Sequence, residues 1–164
     1  TQYRIRSMAM VHEMLYGTGK LASVDYEQYL QELIGTLVVS MKGYINNIET
    51  HLDASGIQLN VDTAIPLGLL LNELLTNSLM HAFPGDSGGQ ISVAIKKLKL
   101  PDHYELKMSD NGIGFPDDFD FQDNTSLGLG LIDTLTLQLD GTLHRETNNG
   151  TTYLITFKEI VPNA

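Results

Sequence analysis

The sequence predicts an α+β fold in which a mixed β-sheet is covered by helices on one face. Residues 90–97 and 104–109 alternate between apolar and polar side chains, as half-buried strands do. Two further strands are predicted at 142–147 and 151–158, and Asn148-Asn149-Gly150 between them is typical of a hairpin turn. Helical segments separate other strands without regular alternation, so we expect hairpins and helical connections in the same sheet.

The N-terminal part of the chain is predicted to be helical before the first strands appear. Apolar residues recur every three or four positions along residues 3–16, and Gly17-Thr18-Gly19 ends that segment. A second helix is expected from Asp25 to near Gly43, with Gln28 in the position of a capping box. Two short strands are predicted next, at 45–51 and 57–61.

The third predicted helix opens between Thr63 and Pro66 and runs to about Ala82. Its wide apolar face consists of Leu67, Leu70, Leu71, Leu74 and Leu75. A polar stripe with four-residue spacing runs along the same helix and consists of Glu73, Asn77 and His81. The stripe either faces solvent or lines a cavity. In the second case Asn77 offers a hard carbonyl oxygen suited to Mg²⁺ on substrate phosphates, and Glu73 could orient or deprotonate a nucleophile.

Composition limits the classes of protein to which the chain can belong. Its 164 residues, 42% of them apolar, suffice for one compact domain with a hydrophobic core. No stretch approaches the ~18 to 20 consecutive apolar residues of a membrane span, so we expect no membrane contact by this chain, although a longer parent could be anchored. A net charge of −10 argues against broad binding to nucleic acid. The absence of cysteine excludes a disulfide framework, a Cys-type zinc site and a Cys nucleophile.

A strand-like segment ends in the glycine-rich stretch 110–116, DNGIGFP. A carboxylate there, beside backbone that can approach a ligand closely, suggests recognition of a hydrogen-bond-donating ring, although Asp-Asn-Gly alone is also a common turn. Gly114 and the downstream pair Gly128 and Gly130 favour a site. Gly128-Leu129-Gly130 opens a helix predicted over 128–139, where free N–H groups and the positive helix end suit phosphates. The acidic segment 117–126 is expected to form a solvated, mobile lid rather than a calcium site.

Other nucleotide and metal motifs are excluded by particular residues. A dinucleotide-binding loop needs a small third residue where Asp133 stands, and a strand directly before the glycines. The sequence contains neither the Walker loop with its lysine nor the His-Arg-Asp of protein Ser/Thr/Tyr kinases. No side chains have zinc-site spacing. His12 is expected to pack within the first helix, and three other histidines are expected on the surface: His51, His103 and His144.

Four motifs, in family order, resemble those of sensor histidine kinases. Residues 71–84, LNELLTNSLMHAFP, resemble the asparagine box, residues 110–116 and 126–132 resemble the two glycine boxes, and residues 150–153, GTTY, resemble the closing strand motif. Together with residues 4–13, RIRSMAMVHE, the match points to the HisKA_2 subfamily, which is related to the HWE kinases. The resemblance covers essentially the whole chain.

The resemblance implies the GHKL ATPase fold shared with DNA gyrase and MutL, a two-layer sandwich with a mostly antiparallel sheet, plus an N-terminal helix. Asp110 would bind the adenine amino group, and Thr152 would support that contact through water. Asn77 would hold Mg²⁺ on the ATP phosphates, and Glu73 would assist phosphoryl transfer. His81 would approach the phosphates. The pocket and its lid would be shaped by further nucleotide-binding residues: Gly112, Gly114, Gly128, Leu129 and Gly130.

The same resemblance divides the chain into two parts. Residues 1–20 would be the end of the dimerisation and phosphoacceptor region, and residues 21–164 would be the catalytic ATP-binding domain. In this subfamily the acceptor histidine lies on a helix ahead of the segment that 4–13 resembles, so His12 matches a different family histidine. We therefore expect this chain to bind ATP with little or no self-phosphorylation.

The implied function is that of a cytoplasmic two-component sensor kinase, which transfers the γ-phosphoryl group of ATP to a histidine and then to a response regulator. Its partners would be a second copy of the parent protein and that regulator. Two alternatives remain at this point: an ATPase or anti-sigma-type serine kinase on the same fold, and an inert nucleotide-binding or dimerisation module. Residues 4–13 favour the histidine kinase, and the presence of Glu73, Asn77 and Asp110 argues against an inert module.

Overall fold

A computed structural model describes residues 9, 13, 23–43, 47–85, 87–116, 119–120, 127–147 and 149–161. Within these residues the strands are β1 (Val24–Asp25), β2 (Ile48–Asp53), β3 (Gln58–Leu59), β4 (Gly89–Lys97), β5 (His103–Asp110), β6 (Thr142–Glu146) and β7 (Thr151–Lys158). The helices are α1 (Tyr26–Lys42), α2 (Val61–Asn77) and α3 (Leu127–Gln138), and α2 continues directly into a π-helical turn, Ser78–Ala82.

The main sheet has five strands in the order β2-β4-β5-β7-β6. β2 and β4 run parallel, whereas the other neighbouring pairs are antiparallel. β1 and β3 form a separate two-stranded ribbon. The predicted α+β architecture, with a mixed and mostly antiparallel sheet, is therefore confirmed.

Alternation along the strands explains why the helices cover one face of the sheet. In β7 every second side chain is buried, and the buried set is Thr151, Tyr153, Ile155 and Phe157. β4 and β5 show the same period, with buried Ile91, Val93, Ile95, Tyr104, Leu106 and Met108. The predicted leucine face of α2 packs over this surface, since all five of its leucines are at most 1% exposed. Burying this apolar area supplies the main driving force of folding.

Helices α1 and α2 lie side by side and run in the same direction. At their N-terminal ends, the Tyr26 hydroxyl donates to the carbonyl oxygen of Ala64 over 3.1 Å. At their C-terminal ends, Lys42 Nζ donates to the carbonyl oxygen of Phe83 over 3.1 Å. The predicted start of α1 is confirmed, because Asp25 is its N-cap and accepts the backbone N–H of Gln28.

Helix α2 starts earlier than its proline suggested. Asn60 is the N-cap, and its Oδ1 accepts the backbone N–H of Thr63 over 2.9 Å. Pro66 is therefore the sixth residue of the helix instead of lying in its first turn. This early start also shortens the strand predicted at 57–61, of which only Gln58–Leu59 is extended and paired.

Several predicted elements fall partly or wholly outside the described residues. The helix predicted over 3–16 is one, since only Ala9 and Glu13 are described, both helical and exposed. The lid at 117–126 is another, with only positions 119 and 120 described. The strand predicted at 45–51 is found at Ile48–Asp53. Within the described part of the chain, no helix is both long and apolar enough to cross a membrane.

Candidate functional site

Asp110 is a buried carboxylate at the end of the central strand β5, with 7% of its surface exposed. Its Oδ1 atom accepts two backbone N–H groups, from Gly112 at 3.0 Å and from Thr151 at 3.3 Å. Its Oδ2 atom accepts the hydroxyl of Ser78 at 2.6 Å. These three donors compensate for the water that the carboxylate loses on burial.

Two glycines allow the backbone to close around this carboxylate. A Cβ at Gly112 would overlap the carbonyl oxygen and the Cβ of Ala82, and Ile113 N donates to that same carbonyl over 3.0 Å. Gly150 has φ +110°, and a Cβ there would overlap the carbonyl oxygen of Asp110. The first glycine box thus packs against the end of the π-helical turn, and the closing strand packs against Asp110.

The polar stripe of α2 is divided between the core and a cavity. Asn77 and His81 line the cavity, as do Ser78 and Ala82 of the same π-helical turn. Glu73 lies one turn earlier, is 2% exposed, and does not line the cavity. Of the two interpretations of this stripe, the cavity-lining one is therefore correct for its C-terminal half. π-Helical turns are rare and occur frequently at functional sites.

The cavity has a volume of about 460 Å³ and opens between the π-helical turn, the first glycine box and the start of α3. Its walls are mainly apolar and are formed by Ala82, Ile113, Phe115, Pro116, Phe119, Leu129 and Tyr153. Its polar groups are few and come from Asn77, Ser78, His81, Asp110 and Thr151. An apolar slot with a small number of placed polar groups is the usual form of a small-molecule site.

Strand β7 contributes Thr151, and not the predicted Thr152, to the cavity. Thr151 is 4% exposed and lies on the covered face of the sheet, whereas Thr152 points to the opposite face and does not line the cavity. The sequence contained the signal for this correction. Tyr153, Ile155 and Phe157 form the apolar half of the alternation, so an inward-facing threonine must lie two residues before Tyr153.

Tyr153 forms part of the cavity wall beside Asp110. It is 1% exposed, and the guanidinium of Arg145 lies over its ring, 5.4 Å from the ring centroid. Burial raises the pKa of Tyr153, while the positive charge of Arg145 acts in the opposite direction. The hydroxyl therefore stays protonated at neutral pH.

The second glycine box is only partly described. Leu129 lines the cavity, Gly128 is buried, and Gly130 is exposed in the first turn of α3, with open space where a Cβ would lie. Residues 121–126, which precede the helix, lie outside the described residues. The phosphate-binding role predicted for Gly128-Leu129-Gly130 stays a prediction. The nucleotide-binding role predicted for Gly114 also stays one, although Gly114 lines the cavity.

Sequence reasoning missed two polar residues of the site, Ser78 and Thr151. Ser78 directly follows Asn77 in the asparagine box, but its contact with Asp110 joins residues 32 positions apart. No local pattern reveals such a contact. Among the described residues, no group of three or more His, Asp and Glu side chains could hold a metal ion by itself.

Two family models match the chain. Residues 62–160 match the histidine kinase-, DNA gyrase B- and HSP90-like ATPases, and residues 1–52 match the HisKA_2 family of histidine kinases. The first match spans the asparagine box, both glycine boxes and the closing strand motif. All candidate site residues named above lie within it.

Curated relatives are sensor kinases of greater length. Sensor histidine kinase PdtaS from Mycobacterium tuberculosis is 30% identical over 146 residues, which are 85% of this chain and 28% of the relative. Blue-light-activated histidine kinase 2 from Erythrobacter litoralis is 29% identical over 144 residues, 86% of this chain and 41% of the relative. The chain thus spans less than half the length of either protein.

Solved structures share the fold. The histidine kinase domain of the Erythrobacter litoralis EL346 blue-light-activated kinase has a TM-score of 0.80 at 23% identity, with 96% of this chain and 74% of that chain covered. The mycobacterial sensor histidine kinase MprB has a TM-score of 0.65 at 21% identity, with 85% and 98% covered. By its matched residues, the chain belongs to the family of histidine kinase-, DNA gyrase B- and HSP90-like ATPases, on its histidine kinase branch of the HisKA_2 type.

Proposed function

We propose that this chain is the ATP-binding catalytic part of a sensor histidine kinase. In the parent protein it would transfer the γ-phosphoryl group of ATP to a histidine, from which a response regulator receives it. One observation supports this most strongly: a buried carboxylate, Asp110, lies in the wall of an apolar cavity of about 460 Å³. Such a group selects a flat ring that presents an amino group.

The adenine end of the site would be formed around Asp110. Its Oδ2 atom would accept a hydrogen bond from the 6-amino group, because Oδ1 already accepts two backbone N–H groups. The ring would pack between the apolar walls, of which Ile113 and Leu129 are members. Thr151, and not Thr152, would provide the hydroxyl that supports this contact through water.

The phosphate end would lie toward Asn77, His81 and the start of α3. The donor set fits a Mg²⁺ ion carried by ATP, because Mg²⁺ keeps several water and phosphate oxygens and needs only one or two from the protein. The side-chain carbonyl of Asn77, which lines the cavity, would be that oxygen. The backbone N–H groups of Gly128, Leu129 and Gly130 would face the phosphates at the positive end of α3. Bound Mg²⁺ would neutralise phosphate charge.

Glu73 is proposed to assist the phosphoryl transfer. It lies one helical turn before Asn77, which separates their Cβ atoms by about 6 Å. Its burial in the core at 2% exposure fixes its position relative to Asn77. A carboxylate held in this way would orient groups at the phosphate end, which suits a reaction that depends mainly on positioning and charge stabilisation.

The remaining proposals concern the parent protein. We propose that it is a homodimer whose phosphoacceptor histidine lies outside the catalytic domain, and that this domain acts in the cytoplasm. Residues 1–20 would belong to the dimerisation region and residues 21–164 to the catalytic domain. The match of residues 1–52 to the HisKA_2 family supports a histidine kinase rather than an ATPase without kinase activity.

Calorimetric titration of the chain with ADP and ATP tests the proposal. We expect both nucleotides to bind, ATP more tightly with Mg²⁺ than with a chelator present, and GDP to bind much more weakly. Labelled ATP should leave little or no label on the chain itself. The absence of any binding heat with ADP or ATP at millimolar concentration would disprove the proposed function.

A further inference from the structure

Ser78 makes a contact with Asp110 that the polar stripe of α2 did not predict. It is the first residue of the π-helical turn, 4% exposed, and it lines the cavity. Its hydroxyl lies 2.6 Å from Asp110 Oδ2. This length is typical of a hydroxyl that donates to an ionised carboxylate, a class of bond about twice as strong as a neutral one.

The hydrogen bonds of Asp110 leave one acceptor position open. A carboxylate offers about four positions, two on each oxygen. The N–H groups of Gly112 and Thr151 take both positions on Oδ1, and the Ser78 hydroxyl takes one on Oδ2. The remaining position on Oδ2 lies at the cavity, because both Asp110 and Ser78 are part of its wall.

Ser78 also limits rotation of the carboxylate. The two N–H donors hold only Oδ1, so the Ser78 hydroxyl is the contact that holds Oδ2 among those described. Without it, the plane of the carboxylate could turn and a water molecule could occupy the vacated position. Either change would leave Asp110 Oδ2 badly oriented to accept a hydrogen bond from a bound base.

We infer that Ser78 is a positioning residue for base recognition: it orients Asp110 Oδ2 so that a single acceptor faces the 6-amino group of a purine. This inference rests on the proposed function and adds a residue to it. Ser78 acts on the base through Asp110. Removal of the Ser78 hydroxyl should therefore weaken the binding of nucleotides that carry the amino group and leave the binding of nucleotides that lack it unchanged.

A matched pair of variants isolates the hydroxyl. Ser78→Thr keeps it and Ser78→Val replaces it with a methyl group in a side chain of the same shape. Each is titrated with ADP and with purine riboside 5′-diphosphate, which lacks the 6-amino group. We expect Ser78→Val to lose affinity for ADP about tenfold relative to Ser78→Thr, the effect of one hydrogen bond to a charged group. Affinity for purine riboside 5′-diphosphate should be equal in the two variants.

Three outcomes contradict the inference. Equal ADP affinity of the Thr and Val variants would show that the hydroxyl is irrelevant. An equal loss for both nucleotides would show a general structural role. Failure of the wild type to bind ADP would overturn the proposed function and this inference together.

Thermal unfolding without nucleotide identifies a variant that does not fold. In that case Ser78→Ala is compared with the wild type by the same two titrations.

Discussion

Asp110 shows how much of the site depends on single residues. Its three donors come from three separate parts of the chain: the first glycine box, the closing strand and the π-helical turn. The carboxylate is thus held rigidly, with its open acceptor in an apolar cavity. A preorganised acceptor of this kind discriminates between bases because an unmatched base leaves it without a partner.

Asp110→Asn should weaken ADP binding roughly tenfold to a hundredfold, because the amide oxygen would be taken by the two backbone N–H groups and the amide NH2, a donor, would face the 6-amino group. Isothermal titration measures the affinity. Asp140→Asn is the control, because it makes the same chemical change at an exposed position whose positive φ of 51° asparagine tolerates. Equal binding by both variants would contradict the adenine contact.

Two neighbouring tyrosines in α1 allow the energetic value of a buried hydroxyl to be measured. Tyr26 and Tyr29 pack with ring centroids 5.1 Å apart. The Tyr26 hydroxyl donates to Ala64, whereas the buried Tyr29 hydroxyl has no hydrogen-bond partner among the described residues. Tyr26→Phe should therefore lower the free energy of unfolding by about 1 kcal/mol, while Tyr29→Phe should leave it unchanged or raise it. Urea denaturation measures the free energy of unfolding of both variants. A larger loss for Tyr29→Phe than for Tyr26→Phe would contradict the assignment of the hydrogen bond to Tyr26.

At the scale of elements, α2 is the scaffold of the site. Its core face packs on the sheet, its π-helical continuation carries Ser78 and His81 to the cavity, and its N-cap ties it to the end of the chain. Asn60 Nδ2 donates to the carbonyl oxygen of Ile160 over 2.7 Å, and Asn60 N donates to Glu159 over 2.7 Å. The N-terminus of α2 is thereby joined to the segment that follows β7.

The two helix N-caps should differ in their contribution to stability. Asn60→Ala removes both the cap of α2 and the contact with Ile160, so we expect a loss of about 2 kcal/mol. Asp25→Ala removes a longer, exposed cap bond of 3.3 Å and should cost less than about 1 kcal/mol. Chemical denaturation of both variants checks the order. A loss of stability for Asp25→Ala equal to that for Asn60→Ala would contradict the contribution of the hydrogen bond between Asn60 and Ile160.

A pair of glycines tests the packing between elements. Gly112→Ala should lower the free energy of unfolding by about 1 to 3 kcal/mol, because the new methyl group overlaps the backbone of Ala82. Gly35→Ala is the contrasting change. Gly35 lies within α1 with no atom within 4 Å of the position that a methyl group would take, and alanine favours helix by up to about 1 kcal/mol. Thermal unfolding should show shifts of opposite sign. A rise in Tm for Gly112→Ala would contradict the close contact.

At the scale of the whole molecule, the buried tyrosines connect folding with pH. Burial raises the pKa of Tyr26, Tyr29, Tyr104 and Tyr153 above their ordinary value. In the unfolded chain these groups ionise at pH ~10, whereas the folded chain still holds their protons there. The folded state then binds more protons than the unfolded state, so stability falls as pH rises.

We therefore expect a plateau of stability below pH ~10 and a steep decline above it. Urea unfolding at a series of alkaline pH values measures the decline. Tyr29→Phe should make it shallower, because one of the groups that ionise only on unfolding is gone. An alkaline slope equal to that of the wild type would show that Tyr29 does not contribute.

The sequence by itself determined the element types, the sheet class and the order of the motifs. These follow from periodicity, capping and turn chemistry, which act between residues close in the chain. Only the tertiary structure decided that Ser78 donates to Asp110, and that Asn77 and His81 reach the cavity while Glu73 stays in the core. The physical reason is that these outcomes depend on contacts between distant parts of the chain, whose geometry exists only once the helices have packed on the sheet.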